Sequence, residues 1–151
     1  MKPKLNSHNM EIVTKMIVTT FNFLAKEYFY TPSYKVGDSA LFIESLHVEY
    51  VNEVKSREII IGYTKSDLNN EIRYTFSVSI TRTPYTKVED FFSLDNYLQS
   101  KASDFSTSLV NNFDEAEAQK ILIEIVFALK EHALNIIDGK VWLDKYYPRW
   151  S

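Results

Sequence analysis

The sequence predicts an α+β domain in which an antiparallel meander of three or four strands is covered on one face by two long helices. Three observations support this. Apolar residues recur at three- and four-residue spacing in residues 9–28 and 114–138, which is the period of an amphipathic helix. Apolar and polar residues alternate through residues 71–82, which is the period of a strand with one buried face. Short polar turns join the predicted strands and favour antiparallel pairing.

Chain length and composition are those of one folded domain. The chain has 151 residues, of which 45% are hydrophobic and 25% are charged, and a chain of this size can fold around a single core. It has 3 Gly and 4 Pro, so a long flexible linker is not expected. The absence of cysteine excludes disulfides, thiolate metal sites and cysteine nucleophiles.

Charge and hydropathy argue against two classes of partner. The net charge is −3 at pH 7, and residues 111–138 hold six acidic residues and two lysines. A basic surface for a phosphate backbone is not expected, so we expect no nucleic-acid partner. No run of 18 apolar residues occurs and the N-terminus lacks a signal-peptide pattern, so we expect no membrane association and a cytoplasmic location.

The first amphipathic stretch, residues 9–28, predicts a helix. Several β-branched residues lower its intrinsic helicity, so packing of the apolar stripe has to stabilise it. Residues 30–39 are predicted to form a loop, because Pro32 and Gly37 are residues that commonly interrupt regular structure.

Three strands are predicted between the helices. The first covers residues 40–51, and a bulge is expected near Glu44 because this residue interrupts the apolar side of the alternation. The second covers residues 58–64, and its three consecutive isoleucines indicate a central strand. Residues 65–70 are predicted to be a polar turn, and residues 71–82 are the third strand.

The following segment has a weaker pattern. Residues 83–90 are predicted to be a loop that contains Pro84. Ser93 is suited to cap a short helix over residues 93–101. Residues 102–112 are rich in Ser, Thr and Asn and receive no assignment.

The second long helix has clear boundaries. Asp114 and Glu117 resemble a capping box at its start, and Gly139 is suited to end it in a left-handed conformation. The tail that follows, residues 141–150, is expected to dock back on the fold, because exposing its large rings would be unfavourable. Those rings belong to Trp142, Tyr146, Tyr147 and Trp150.

No residue set in the sequence completes a reactive centre. His47 and Glu49 share one face of a strand and could begin an acid–base or metal site, but no third ligand stands at a recognisable spacing. His132 lies at the edge of the second helical stripe and is expected to be structural. The three glycines are isolated, whereas phosphate loops need clustered glycines. We therefore assign no catalytic, metal or cofactor-binding residue and expect no cofactor.

Two polar surfaces are candidates for binding a partner, although each is also compatible with ordinary solvated surface. The first, which we call the strand face, is the polar side of the third strand and consists of Arg73, Thr75, Ser77 and Ser79. It is uncovered if both helices pack on the opposite side of the sheet. The second, the acidic ridge, has a seven-residue spacing along the second long helix and consists of Glu117, Glu124 and Glu131. An acidic surface complements a basic partner.

The order of the elements resembles a group of small bacterial α+β proteins. The resemblance covers most of the chain and rests on the runs LHVEYVNEVKSREIIIGY, EIRYTFSVSI and LKEHALNIIDGKVWLDKY. Some members of this group are regarded as immunity proteins of polymorphic toxin systems. The resemblance implies a stoichiometric function, in which the protein binds and blocks a partner such as a toxin domain.

These observations leave three functional hypotheses. The first is a non-enzymatic protein-binding protein, of which an immunity protein is one form. The alternative is a small enzyme or ligand-binding domain with a pocket between sheet and helices. The third is a homo-oligomer that uses the uncovered sheet face.

Overall fold

A computed structural model describes residues 8–36, 42–101 and 106–143 of the chain. The helices are α1 (His8–Thr20), α2 (Asn22–Lys26), α3 (Leu94–Lys101), α4 (Glu115–His132) and α5 (Leu134–Ile137). The strands are β1 (Thr31–Val36), β2 (Glu44–Asn52), β3 (Arg57–Leu68), β4 (Glu71–Arg82), β5 (Phe91–Ser93) and β6 (Ser108–Val110). A 3-10 turn, Val88–Asp90, precedes β5.

The six strands form one open antiparallel sheet, so the fold class is α+β as the sequence predicts. The strand order is β1-β2-β3-β4-β5, and β6 also pairs with β4. β3 pairs with β4 over the whole length of both strands. Because β5 pairs with residues 79–81 and β6 with residues 73–75, these two short strands share the other edge of β4 and leave a gap between them.

One face of the sheet, the core face, packs with the helices into a single buried cluster. α1 contacts β2 and α4, and α3 contacts β4 and α4. The strand residues of this cluster are Leu46, Val48, Tyr50, Ile59, Ile61, Tyr63, Tyr74, Phe76, Val78 and Ile80. α4 contributes Ala118, Ile121, Leu122, Ile125 and Leu129 from its predicted stripe. Burying one large apolar side chain stabilises the fold by about 1.5–3 kcal/mol.

Three boundary predictions are confirmed. β4 has the predicted limits, and its alternation places apolar side chains in the core. Ser93 caps α3, since its Oγ accepts from the Asn96 N–H at 3.1 Å. Asp114 caps α4 by accepting from the Glu117 N–H at 3.1 Å. Gly139 has the predicted left-handed conformation, with φ +79°, but it follows α5 and does not end the long helix.

The predicted loop over residues 30–39 was wrong, because β1 occupies most of it. Pro32 does not interrupt the strand, and β1 is the last strand in the sheet order. A proline has no N–H to donate, so it is tolerated on an edge strand where one side of the backbone has no strand partner. Gly37 lies outside the described residues.

The predicted bulge near Glu44 was also wrong. β2 begins at Glu44 and pairs with β3 in unbroken register from there to Asn52. Glu44 lies on the same side as the core residues at the end of the sheet, where its carboxylate accepts from the Tyr63 hydroxyl at 2.8 Å. That hydrogen bond makes a carboxylate acceptable on this side without a shift of register.

Four further segments have a structure that the sequence did not predict. The turn expected over residues 65–70 is reduced to Asn69 and Asn70, whose φ angles of +55° and +62° suit a tight hairpin turn. Residues 102–112, which had no assignment, contain β6. The first helix is interrupted at Phe21, and the second breaks at Ala133 before α5.

A cluster that we call the arginine clasp, formed by Arg57, Arg82 and Trp142, holds the segment after α5. The two guanidinium carbons lie 4.7 Å and 5.0 Å from the centre of the Trp142 ring. The indole N–H donates to the Glu89 carbonyl at 2.8 Å, and the ring meets Phe92 edge-on at 4.9 Å between centroids. Docking of the tail at Trp142 is thus confirmed, whereas Tyr146, Tyr147 and Trp150 lie outside the described residues.

Asp90 anchors the clasp through Arg82 and makes stability depend on pH. The Arg82 guanidinium, together with bonds from Thr86 and Lys87, holds the pKa of the Asp90 carboxyl well below its usual value. A carboxyl with a depressed folded-state pKa stabilises the fold above about pH 4 and loses that effect as pH falls through the folded value. The stability difference between the native protein and Asp90→Asn should therefore be largest near pH 7 and shrink below pH 4. Urea unfolding at pH 7, 4 and 2 measures it, and an equal gap at all three values would contradict this role.

Tyr50 has a polar atom buried without a hydrogen bond in the described part of the chain. Its side chain is 1% exposed and its hydroxyl has no partner there. Tyr50→Phe should raise the free energy of unfolding by about 1–3 kcal/mol, the cost of a buried unsatisfied group. Tyr30→Phe is the matched control and should lower it by about 1 kcal/mol, because the Tyr30 hydroxyl donates to the Ile137 carbonyl at 2.6 Å. Equal effects of the two variants in urea unfolding would refute the assignment.

Candidate functional site

The face of the sheet opposite the core, which we call the outer face, carries mostly small and polar side chains. Alternation along each strand and the register between strands place these residues together. Its members on the three central strands are Ser45, His47, Glu49, Val51, Glu58, Ile60, Gly62, Thr64, Ser66, Arg73, Thr75, Ser77, Ser79 and Thr81. Most of these are half-buried, and Arg73 is exposed.

A groove of about 350 Å³ lies on the outer face. Six hydroxyl side chains line it, namely Thr64, Ser66, Thr75, Ser77, Ser79 and Ser93. Apolar surface comes from Phe42, Ile60 and Phe91, and the titratable residues in the lining are His47 and Asp95. The groove therefore offers hydrogen-bonding groups on its floor and aromatic surface beside them.

Gly62 adds no side chain to the outer face beside the groove. It pairs with Ser77 in the register of β3 and β4. A Cβ atom at position 62 would lie 2.5 Å from the Ser77 Oγ, which is closer than a carbon and an oxygen can approach. Any larger residue at position 62 would therefore displace the hydroxyl of Ser77, which lines the groove.

The groove continues to the gap between β5 and β6. In this gap, groups outside the sheet accept hydrogen bonds from the backbone N–H groups of β4. The Val78 N–H donates to Asp95 Oδ1 at 3.0 Å, and the Phe76 N–H donates to the Thr107 carbonyl at 2.9 Å. The Ser93 hydroxyl also donates to Asp95 Oδ1 at 2.9 Å. The start of α3 thus fixes a carboxylate against the strand edge at the wall of the groove.

The electrostatic character of the groove is acidic. Among the described residues that line it, Asp95 is the one with a formal charge at neutral pH when histidine is neutral, and none is Lys or Arg. A carboxylate among hydroxyl groups attracts a cation or a hydrogen-bond donor and disfavours an anion. The arrangement suits recognition of a positively charged or donor-rich group.

The structure brings together three of the four strand-face residues. Thr75, Ser77 and Ser79 line the groove, and Thr75 shares a hydrogen bond of 3.1 Å with Ser108 of β6. Arg73 lies on the same face outside the lining, where its guanidinium pairs with Glu71 at 2.7 Å. Both of these side chains are largely exposed, so this ion pair contributes little to stability.

The acidic ridge is a separate surface on α4. Glu117 and Glu131 are exposed and Glu124 is half-buried, and none of the three lines the groove. Glu131 lies 3.8 Å from the ring of His132, and both border a cleft of about 310 Å³ beside Tyr97. The sequence therefore predicted two surfaces that the structure does not join.

Sequence reasoning missed Phe42, Phe91 and Asp95 as members of the site. Phe91 belongs to a strand of three residues, which is too short for a visible alternation. Asp95 follows the cap of α3, a position where an acidic residue is expected from the helix dipole alone. His47 was considered with Glu49, yet the structure places His47 in the groove lining and leaves Glu49 outside it.

The described residues contain neither a metal-binding cluster nor a membrane-spanning helix. Within the described residues, no three His, Cys, Asp or Glu side chains are placed to hold a metal ion. None of the helices in the described ranges is long and apolar enough to cross a bilayer. No protein-family model, no curated protein and no solved structure matches the chain.

Proposed function

We propose that this chain is a stoichiometric, non-enzymatic protein-binding protein, and that its binding surface is the outer face of the sheet around the groove. The observation that carries the proposal is the contrast between the two faces. Buried residues of α1 and α4 share one cluster with the core-face strand residues, whereas the outer face carries a groove lined by hydroxyl and aromatic groups. Concave surfaces with apolar pockets and a polar surround are where partners insert their anchoring side chains.

The chemistry of the surface favours a basic partner. Asp95 places negative charge in the groove, and the net charge of the chain is −3. The acidic ridge lies on a separate surface, where its three carboxylates can attract a basic partner without contacting the groove. Charge complementarity of this kind mainly accelerates encounter and selects between partners. The complex should therefore form more slowly as ionic strength rises.

The resemblance to small bacterial α+β proteins supports a toxin domain as that partner. An immunity protein acts by occupying a surface of the toxin, so it needs shape and charge complementarity and no reactive groups. The composition of the groove, with hydroxyls, aromatic rings and a single carboxylate, is consistent with such a role.

Co-expression tests the proposal. The chain is produced with an affinity tag together with the protein encoded by the neighbouring gene, and the purified material is analysed by light scattering. A one-to-one complex that resists dilution to micromolar concentration supports the proposal. Recovery of the tagged chain alone, with each neighbouring gene product tested and soluble, would overturn it.

The volume of the groove gives a second candidate function, which is small-ligand binding. About 350 Å³ lies at the lower end of the range for small-molecule sites. In this case the ligand would bind on the outer face and not between sheet and helices, where the buried cluster lies. A thermal-shift screen of metabolites, with saturable stabilisation by one of them, would favour this function over protein binding.

A further inference from the structure

We infer that the groove is a socket for the guanidinium group of an arginine side chain from the partner. The inference deepens the proposed protein-binding function by naming the anchoring group, and it rests on that function for its biological role. Three features of the groove carry it: its charge, its aromatic surface and its size.

The charge of the groove requires a positive or neutral occupant. Asp95 lies on the wall with its Oδ1 held by the Val78 N–H and the Ser93 hydroxyl, so the position of the carboxylate is fixed before any partner arrives. The described lining residues include no Lys or Arg. A carboxylate fixed in this way gains attraction to a cation without the entropy cost of ordering its side chain.

The aromatic and hydroxyl groups select arginine over lysine. Phe42 and Phe91 both line the groove, and a planar guanidinium stacks on aromatic faces better than the compact, strongly hydrated ammonium of lysine. A guanidinium carries five N–H donors, and the hydroxyl oxygens of lining residues such as Ser77 and Ser79 are acceptors for such donors. The chain already uses this packing in the arginine clasp, where two guanidinium groups flank Trp142.

The size of the groove admits one long side chain. About 350 Å³ holds an arginine side chain, and Gly62, which pairs with the lining residue Ser77, adds no side chain beside it. Arginine is among the residues most often found as anchors at protein interfaces. One arginine in the groove would bring basic surface of the partner against the outer face.

Titration with small arginine derivatives tests the socket without a partner. The probes are N-acetyl-arginine methylamide, the citrulline analogue, which has the same shape and no charge, and the lysine analogue. Amide shifts of Gly62, Ser77 and Ser79 are followed by NMR. The arginine probe should bind with a dissociation constant of about 1–10 mM, as expected for one side chain, and the other two probes at least about fivefold more weakly.

Two variants separate charge from space. Asp95→Asn keeps an oxygen to accept from Val78 and Ser93 and removes the charge, so it should weaken arginine binding about fivefold or more. Ser77→Leu fills the groove from the outer face, away from the core, and should abolish binding. Melting temperatures show that each variant is folded, and if Asp95→Asn is not, Ser77→Leu alone decides the outcome.

Failure of the socket can be told apart from failure of the proposed function. Absence of saturable shifts with arginine, equal binding of citrulline, or unchanged arginine binding in a folded variant would overturn the socket. None of these results affects co-purification with a partner. Conversely, failure to find a partner leaves the titration with arginine unchanged.

Discussion

Replacing Trp142 with alanine should lower the free energy of unfolding by about 3 kcal/mol, which is the lower part of the range for loss of a large aromatic side chain. The ring is half-buried and fills the space between Arg57 and Arg82 against Phe92. Its removal leaves Arg57, Arg82 and Phe92 without the ring that all three contact. Urea unfolding followed by circular dichroism measures the loss.

The size of this effect depends on Arg57, which is 5% exposed and, within the described residues, donates no hydrogen bond to a carboxylate. Its guanidinium donates to four backbone carbonyls, those of Lys55, Ser56, Ile136 and Val141. Burial lowers the pKa of this group. Without Trp142, the Arg57 guanidinium would be stabilised by carbonyl dipoles alone. The π face of the Trp142 ring therefore adds a further electrostatic stabilisation.

A control and a double-mutant cycle complete the test of the clasp. Val141→Ala, next to Trp142 and exposed, should change stability by less than about 0.5 kcal/mol. Trp142→Ala and Arg57→Met together should be less destabilising than the sum of the two, with a coupling of about 1 kcal/mol. Additive effects, or a loss below about 0.5 kcal/mol for Trp142→Ala, would show that the clasp does not stabilise the fold.

Placing an arginine on the floor of the groove should reduce affinity for the partner by about 100-fold or more, or roughly 2.8 kcal/mol. Thr75→Arg adds both bulk and positive charge where the proposed basic partner inserts. The matched control is Thr19→Arg, which makes the same substitution at an exposed position of α1. The control should bind with an affinity within about twofold of the unmodified protein. Calorimetric titration of the two variants with the partner measures both affinities.

The comparison of these two variants is informative because they have the same composition and charge. A general effect of net charge on association would weaken both to the same extent. Equal weakening, or stronger weakening by Thr19→Arg, would place the partner away from the outer face. Thr75 also bonds to Ser108, so melting temperatures of both variants are needed to show intact folds.

Local periodicity was sufficient to predict which face of β2 and of β4 is buried, whereas the isoleucine run of β3 indicated a central strand without showing which of its faces is buried. Residues 71–82 alternate so regularly that both the limits of β4 and its core side were predictable, and the cap residues Ser93 and Asp114 set the starts of α3 and α4. These features depend on neighbours within four residues along the chain. Pattern analysis is strongest at that range.

Features that depend on distant contacts were not predictable in the same way. Pro32 is compatible with a strand because β1 lies at an edge, and only the strand order reveals that. The arginine clasp joins Arg57 to Trp142, which are far apart in sequence and share no motif. The groove exists because two short strands leave a gap along β4, and strands of three residues are too short to show a period.

The candidate site was predictable in part. Thr75, Ser77 and Ser79 were identified from the polar side of β4, because alternation puts them on one face. The shape of the groove was not predictable, because it depends on the register that pairs Gly62 with Ser77 and on the position of Asp95 at the strand edge. In the acidic ridge, Glu117 and Glu131 are exposed as the sequence predicts. That the ridge binds a basic partner stays a prediction.

The absence of cysteine from the sequence makes thiol labelling the most direct test of the outer face as the binding surface. Ser77→Cys introduces one thiol in the groove, and Thr19→Cys introduces one on α1. Both thiols should react with a maleimide in the isolated protein. In a saturated complex with the partner, we predict that the thiol introduced by Ser77→Cys is protected from the maleimide. The thiol introduced by Thr19→Cys should still react. Continued labelling in the groove together with protection on α1 would contradict the account.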